Sequence, residues 1–356
     1  MATDLEVFRA TTEHRRPPRI LYHASFTEDL RRRVIQHAGT ENLAGHYGLF
    51  APANLPIKRP ADSPPIDYSP YWEGQELPEG TGFDARGVAQ VPSGFYHFWG
   101  YLSPLRNASS LAEIENYPLD EMSEWDFSYM AAAADAAHAA GRVVYGPVGH
   151  MYESAWQVRG YEQFLMDMIE RPAWAECLLQ RLAEQNMIKA LACARAGADV
   201  LHCGDDVANQ NAMMFAPQTW RRMMLSRWAK VWAAAKAVHP AIKVWYHSDG
   251  NILAIVGELI DAGVDILNPL QPECLDVGAV HRSYGGRVTL DGCIGTQSTM
   301  PWGKPADVKA RVEEVIDSYG RDGGLMISPT HVLEPEVPIA NIEALCDACR
   351  QYGAFE

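Results

Sequence analysis

The chain has no run of 18 apolar residues, which argues against a membrane-spanning helix. Its first twenty residues, MATDLEVFRATTEHRRPPRI, lack the apolar stretch of a secretory signal, and the expectation is a cytoplasmic protein. Cysteine is scarce. The seven residues are odd in number and scattered, which fits reduced thiols better than a disulfide framework. Basic residues are in deficit: 30 Lys+Arg against 45 Asp+Glu give a net charge of -15. Such a surface repels phosphate backbones and anionic lipid, so neither nucleic acid nor a membrane surface is expected as a partner. No G-x-G-x-x-G links an early strand to a helix, which disfavours a Rossmann dinucleotide site. Cys346-x-x-Cys349 has no second CxxC beside it and falls in a helical pattern, so it reads as two ordinary helix cysteines.

Apolar material, by contrast, is plentiful. With 356 residues, 47% of them hydrophobic, the chain can bury a large core. Residues 40–125 are rich in Pro, Gly and aromatics and show no helical period and no long strand. A loop region of that length inside a compact protein is usually functional. It is expected to form an irregular, lid-like N-terminal cover over the active face. From residue 126 onward, short β-rich apolar runs alternate with helical segments. The runs are 142–148, 198–204, 242–248, 264–270, 287–293 and 324–330, and a seventh, 19–25, precedes the aromatic stretch. The helical segments are 127–140, 154–168, 172–196, 215–237, 251–262, 305–319 and 338–352. Pro172 sits at a helix start, and Gly197, Gly263 and Gly320 sit where helices should stop in a left-handed residue. Runs apolar on both faces are strands covered by helices on both sides. Repeated βα units imply a parallel sheet with right-handed crossovers. Seven runs and one unseen strand predict an α/β fold, a (β/α)8 TIM barrel forming a single domain over 1–356. An open doubly wound sheet is the runner-up.

In a parallel barrel the loops after the strands form the active face. The groups there are His23, His150 with Glu153, Asp205 and Asp206, His247 with Asp249, Asn268 with Gln271, Asp291 with Cys293, and His331 followed by Glu334 and Glu336. One polar group after a strand is weakly informative, whereas their repetition around one rim is not. His247-x-Asp249 leaving a strand aims two side chains at one place, because residues i and i+2 share a face. Imidazole and carboxylate suit zinc, and three protein ligands leave a position open for catalysis. His247, Asp249 and His331 are therefore candidate ligands of a divalent metal such as Zn2+, with Cys293 as a candidate fourth; the alternative is that His247 and Asp249 are a hydrogen-bonded rim pair without a metal.

Five segments carry a family resemblance: GADVLHCGDDV, VWYHSDGNI, GVDILNPLQP, LDGCIGTQSTMPWG and SPTHVLEPEVPIANIEAL. Together, over about residues 140–352, they resemble the uroporphyrinogen decarboxylase superfamily, whose fold is a (β/α)8 barrel. The resemblance implies two chemistries. True decarboxylases carry an R-Q-A-G-R-Y motif for the tetrapyrrole carboxylates, but this chain reads RILYHASFTEDL there, which argues against uroporphyrinogen III as substrate. The other branch consists of cobalamin-dependent methyltransferases that bind zinc through H-x-C and a distant Cys. Here those positions read His247-Ser248-Asp249 and His331, a harder donor set better suited to activating an oxygen than a thiol.

The expectation is a metal-dependent methyltransferase or demethylase of a small methoxylated compound. The methyl group would pass to a corrinoid on a partner protein, since no D-x-H-x-x-G motif is visible. Glu153, Asp206 or Glu334 would orient the substrate or move its proton. Tyr96, His97, Phe98 and Trp99 would wall the pocket, and Asn268 and Gln271 would contact the substrate. The alternative is a decarboxylase or lyase on the same rim, with Arg159 holding a carboxylate and a nearby acid protonating the carbanion. A non-catalytic binding protein ranks last, given so many titratable rim groups. The resemblance also implies a homodimer.

Overall fold

The computed structural model describes residues 2–93 and 98–355. Eight parallel strands form its main sheet: β1 (Leu21–Tyr22), β2 (Ala53–Asn54), β6 (Val144–His150), β7 (Val200–Gly204), β8 (Lys243–His247), β9 (Ile266–Leu270), β10 (Thr289–Ile294) and β11 (Leu325–Pro329). Their spatial order is β1-β11-β10-β9-β8-β7-β6-β2, and every pairing is parallel. The sheet is curled. Its two edge strands approach each other closely enough for Phe50 N–H to donate to the Tyr22 carbonyl at 2.7 Å.

The inside of the curl is a core of its own. Leu21, Tyr145, Val200, Trp245, Ile266 and Met326, one residue from each of six strands, pack together with Phe50 and with Val7 and Phe8 of the helix Asp4–Thr12. Residues on the other face of the strands belong to the larger core shared with the surrounding helices. Strands β9, β10 and β11 are buried at every position, as their continuous apolar runs predict. Full burial of each large apolar side chain contributes about 1.5–3 kcal/mol.

All seven runs become strands. The eighth strand, β2, lies inside the stretch read as irregular. That stretch also holds a three-stranded antiparallel sheet of β3 (Gly82–Phe83), β4 (Ala89–Pro92) and β5 (Trp99–Leu102), and the short helices Leu43–Tyr47 and Leu111–Glu115. It packs on the helices after β6. Tyr101 meets Trp156 edge-on at 5.5 Å between ring centres, and Arg181 donates to the Ile114 carbonyl at 2.8 Å.

The helical segments appear with refinements: 251–262 is helical only over Val256–Ala262, and 215–237 carries a π-helical turn at Arg221–Leu225. Segment 154–168 splits into Tyr152–Arg159 and Tyr161–Glu170 at Gly160, where φ is 103°. Gly320 ends its helix at φ -107°, outside the left-handed region. It is needed for close packing instead, since a Cβ there would lie 2.9 Å from Leu325 Cδ2 and 3.2 Å from the Ile316 carbonyl. Cys346 and Cys349 are buried in the helix Ile339–Tyr352 as free thiols. Among the described residues no helix is long and apolar enough to cross a membrane.

Candidate functional site

The carboxyl ends of the strands open into a cavity of about 540 Å³. Its wall takes His23 from beyond β1, Asn54 from β2, Tyr145 from β6, His202 from β7, Trp245 and His247 from β8, Asn268 from β9, Ser328 from β11 and His331 just after it. A parallel sheet that curls brings all its strand ends to one rim, and this is why residues up to 308 positions apart in sequence meet there.

On one side, Asp206, His247 and Asp249 converge. His247 Nε2 lies 3.6 Å from Asp206 Oδ1 and 3.9 Å from Asp249 Oδ1, and His331 Nε2 lies 3.8 Å from Asp249 Oδ2. These separations exceed a hydrogen bond. They approach the spacing of about 3.4 Å between two donors that share a tetrahedral ion at about 2.1 Å. The opposite nitrogen of the ring, Nδ1, sits 2.7 Å from Asn268 Oδ1. An amide oxygen only accepts, so Nδ1 carries the hydrogen and Nε2 faces the two carboxylates. Asp249 Oδ1 is buried without a hydrogen-bond partner. Burial pushes the Asp249 carboxyl upward, with Asp206 adding to it and His247 and His331 opposing. An orphaned buried oxygen, two crowded carboxylates and an oriented imidazole together fit a divalent cation.

The cluster is held from behind. Asp249 N–H donates to Asp206 Oδ1 at 2.8 Å, and Gly250 N–H donates to Gln271 Oε1 at 2.6 Å. Asp206 N–H donates to Glu153 Oε2 at 3.3 Å. Glu153 also contacts His150. Burial opposes its ionisation, but His150 and that N–H hold its carboxyl below the usual range. Gly204 at the end of β7 is obligatory, because a Cβ would lie 2.4 Å from the His247 carbonyl.

His150, Glu153 and Asp205 form a second group of potential ligands. Asp205 is saturated, however. Its Oδ1 accepts from the N–H groups of Met151 and Tyr152, both at 2.7 Å, and its Oδ2 accepts from Trp228 Nε1 at 2.8 Å. It clamps the start of the helix Tyr152–Arg159, which is a structural task.

Across the cavity, His23 Nε2 lies 2.8 Å from Asp291 Oδ1, and Asp291 also accepts from Trp245 Nε1 at 2.8 Å and Ser328 Oγ at 3.2 Å. Burial works against both charges. The pair still shifts toward the ionised forms, with His23 up and Asp291 down, because each supplies the other's counter-charge.

His202 stacks on Trp245 at 4.2 Å between ring centres. Burial, helped by His247 and His150, lowers its pKa from 6.5 to about 4. An unfolded chain takes up a proton at this residue as pH falls below 6.5, while the folded chain does not until about 4. The stabilisation is therefore intact above pH 6.5 and lost progressively toward pH 4, on the order of 3 kcal/mol in total. A His202→Gln protein is expected to show a flatter dependence of urea midpoint on pH across that window. Parallel curves for the two proteins would refute this.

Other sequence-predicted residues lie elsewhere. Cys293 is fully buried outside the cluster, beside Arg311 of the helix Pro305–Tyr319, and burial pushes its thiol up to about 12. The register with β9 shifts between Leu290 and Gly292, and Cys293 itself adopts φ 72°, so the strand's alternation breaks and the thiol turns toward the helix. Arg159 is buried. Its Nε donates to Asp167 at 2.7 Å, its Nη1 donates to the Leu105 carbonyl at 2.5 Å, and its guanidinium lies over Trp174. It pins the segment 105–106 and is no free anion holder. Trp99 is exposed on β5, away from the cavity wall, and Glu334 lies in the segment after His331, outside the metal-type cluster. Tyr96 and His97 lie outside the described residues. Sequence reading missed Asp206 as a cluster member and passed over His202, Tyr145 and Trp245. The signal for the last three was only that they stand on strands.

A parallel α/β protein with a metal-type cluster at its strand ends is the class that the fold and site define. The sequence profile of the uroporphyrinogen decarboxylase (URO-D) family matches residues 104–352, and the chain belongs to this family. It is 26% identical over 194 residues to the methylcobamide:CoM methyltransferase MtaA of Methanosarcina barkeri, covering 54% of this chain and 53% of that protein. It is 23% identical over 261 residues to a uroporphyrinogen decarboxylase of Pseudomonas fluorescens, covering 69% and 70%. The chain spans about half the length of the methyltransferase. Its fold resembles that of a methyltransferase from Methanosarcina mazei, with a TM-score of 0.67, 18% identity and 99% of each chain covered.

Proposed function

We propose that the protein is a metal-dependent methyltransferase or demethylase acting on a small methoxylated compound, with the methyl group passed to a corrinoid carried by a partner protein. The observation that carries this reading is the Asp206–His247–Asp249 cluster with its orphaned Asp249 oxygen, together with the similarity to a methylcobamide-using relative. In this reading the curled sheet is a closed (β/α)8 barrel in a single domain, and residues 40–125 cover its open face. His247, Asp249 and Asp206 hold the ion, with His331 completing the set. Imidazole and carboxylate donors suit zinc. A divalent ion there supplies a Lewis acid for a substrate oxygen.

The chain's own residues do the rest. Asn268 fixes the His247 ring, Gln271 fixes the loop after β8, and Glu153 holds Asp206 through its N–H. Tyr145, His202 and Trp245 offer an aromatic wall to an arene or similar substrate. His23, paired with Asp291, keeps a proton at the opposite wall for the oxygen that loses its methyl group. The decarboxylase alternative lacks its named anion holder, because Arg159 is engaged in packing.

The test is to incubate the zinc-loaded protein with a methoxybenzoate and cob(I)alamin and follow the visible spectrum. Methylcobalamin is expected to form, with release of the corresponding phenol. Carbon dioxide release without methylcobalamin would overturn the proposal in favour of decarboxylation.

A further inference from the structure

We propose that Arg86 and Lys189 form a binding site for a small oxyanion, carboxylate or phosphate, in a second cavity beside the metal-type cluster. That cavity holds about 270 Å³ and is lined by Arg86, His150, Glu153, Gln157, Asn186 and Lys189, among others. It lies behind Glu153, which separates it from Asp206.

Four observations carry the assignment. First, two cations converge here from distant parts of the chain. Lys189 comes from the helix Pro172–Arg195, and Arg86 from the turn before β4. Second, the Lys189 ammonium makes no ion pair or hydrogen bond among the described residues. Three strong donors in a pocket wall are thus unspent. Third, Arg86 is only partly satisfied. One edge reaches Asp84 Oδ2 at 2.7 Å and Gln157 Oε1 at 3.2 Å, while its Nε is buried with no acceptor. Fourth, the carboxylate in the wall, Glu153, is already engaged by His150 and by the Asp206 N–H, so it does not serve as the lysine's counter-ion.

Like charges placed together in a partly dry pocket are costly unless an anion joins them. The cost is visible at Lys189, where burial, with Arg86 adding to it, pushes the pKa down to about 8. A carboxylate or phosphate group in the cavity would accept from Lys189 Nζ and lie against the Arg86 guanidinium, and the Asn186 and Gln157 amides supply further polar contacts. Gly149 leaves room for it, since its Cβ would stand 3.4 Å from Lys189 Nζ. The site does not depend on a metal at His247.

The experiment is calorimetric titration of the full chain with inorganic phosphate and, separately, with acetate, at ionic strength fixed by chloride. Saturable binding of at least one probe is expected. Phosphate alone would mark a phosphorylated ligand, and acetate a carboxylated one. Lys189→Met is expected to weaken binding at least about tenfold, the loss of one charge-assisted hydrogen bond. Lys189→Arg should restore most of it, and His247→Ala should leave it unchanged. Equal affinity in wild type and Lys189→Met, absence of saturable binding by both probes, or loss of binding in His247→Ala would each overturn the proposal.

Discussion

Replacing His247 with alanine is expected to yield a folded protein that retains no divalent metal. The ring is half-buried on the rim, so its removal costs the fold little beyond leaving Asn268 Oδ1 without its donor, about 1–2 kcal/mol. For the metal the effect is far larger. The imidazole is the nitrogen ligand expected between two carboxylates, and without it Asp206 and Asp249 face each other across the gap. Loss of an outer hydrogen bond to a ligand typically costs 10–100-fold in metal affinity, so loss of the ligand itself should exceed about 100-fold. Asn268→Ala, which only frees the ring to rotate, should fall within that 10–100-fold range. Zinc titration against a competing chelator measures both. Unchanged affinity in His247→Ala would contradict the assignment.

The largest loss of stability is expected from Asp205→Ala. This carboxylate is fully buried and accepts from three backbone N–H groups at a helix start, those of Met151, Tyr152 and Glu153, and from the Trp228 indole. Alanine leaves these four donors without their acceptor, at a cost of about 3–5 kcal/mol. Asp205→Asn keeps one accepting oxygen and should lose about half as much. Urea denaturation reads the difference directly, and a cost below about 1 kcal/mol for the alanine protein would remove Asp205 from its clamping role. Because the clamp positions Glu153, and Glu153 holds Asp206 through its N–H, the same substitution should also weaken the metal-type cluster.

The parts legible in the sequence share a physical reason. Strands β9 to β11 are buried at every position and β6 to β8 at most positions, so their apolar runs stand out against amphipathic helices. Strand β2 could not be read that way. It has two residues in a proline-rich stretch, and it is placed by Ala53 N–H and Leu55 N–H donating to the Val143 and Tyr145 carbonyls at 2.8 Å. The His247-x-Asp249 spacing pointed at one site because both residues leave a strand on the same face. The adjacent Asp205 and Asp206 were ambiguous, because sequence does not say which of two neighbours turns inward. The structure sends Asp205 to Trp228 and Asp206 to His247. Cys293 was misplaced because strand alternation assumes regular backbone, and the chain departs from it at Gly292 and Cys293. His202 and Trp245 went unremarked because, in strands apolar on both faces, no pattern tells the inside of the curl from the outside.

The most direct test of the central claim is anomalous scattering at the zinc edge from crystals of the protein grown with zinc and no chelator. A single strong peak is expected about 2.0–2.2 Å from His247 Nε2 and from carboxylate oxygens of Asp249 and Asp206, with His331 turned toward it. A peak at His150 and Glu153 instead, or no peak within reach of His247, would contradict the account.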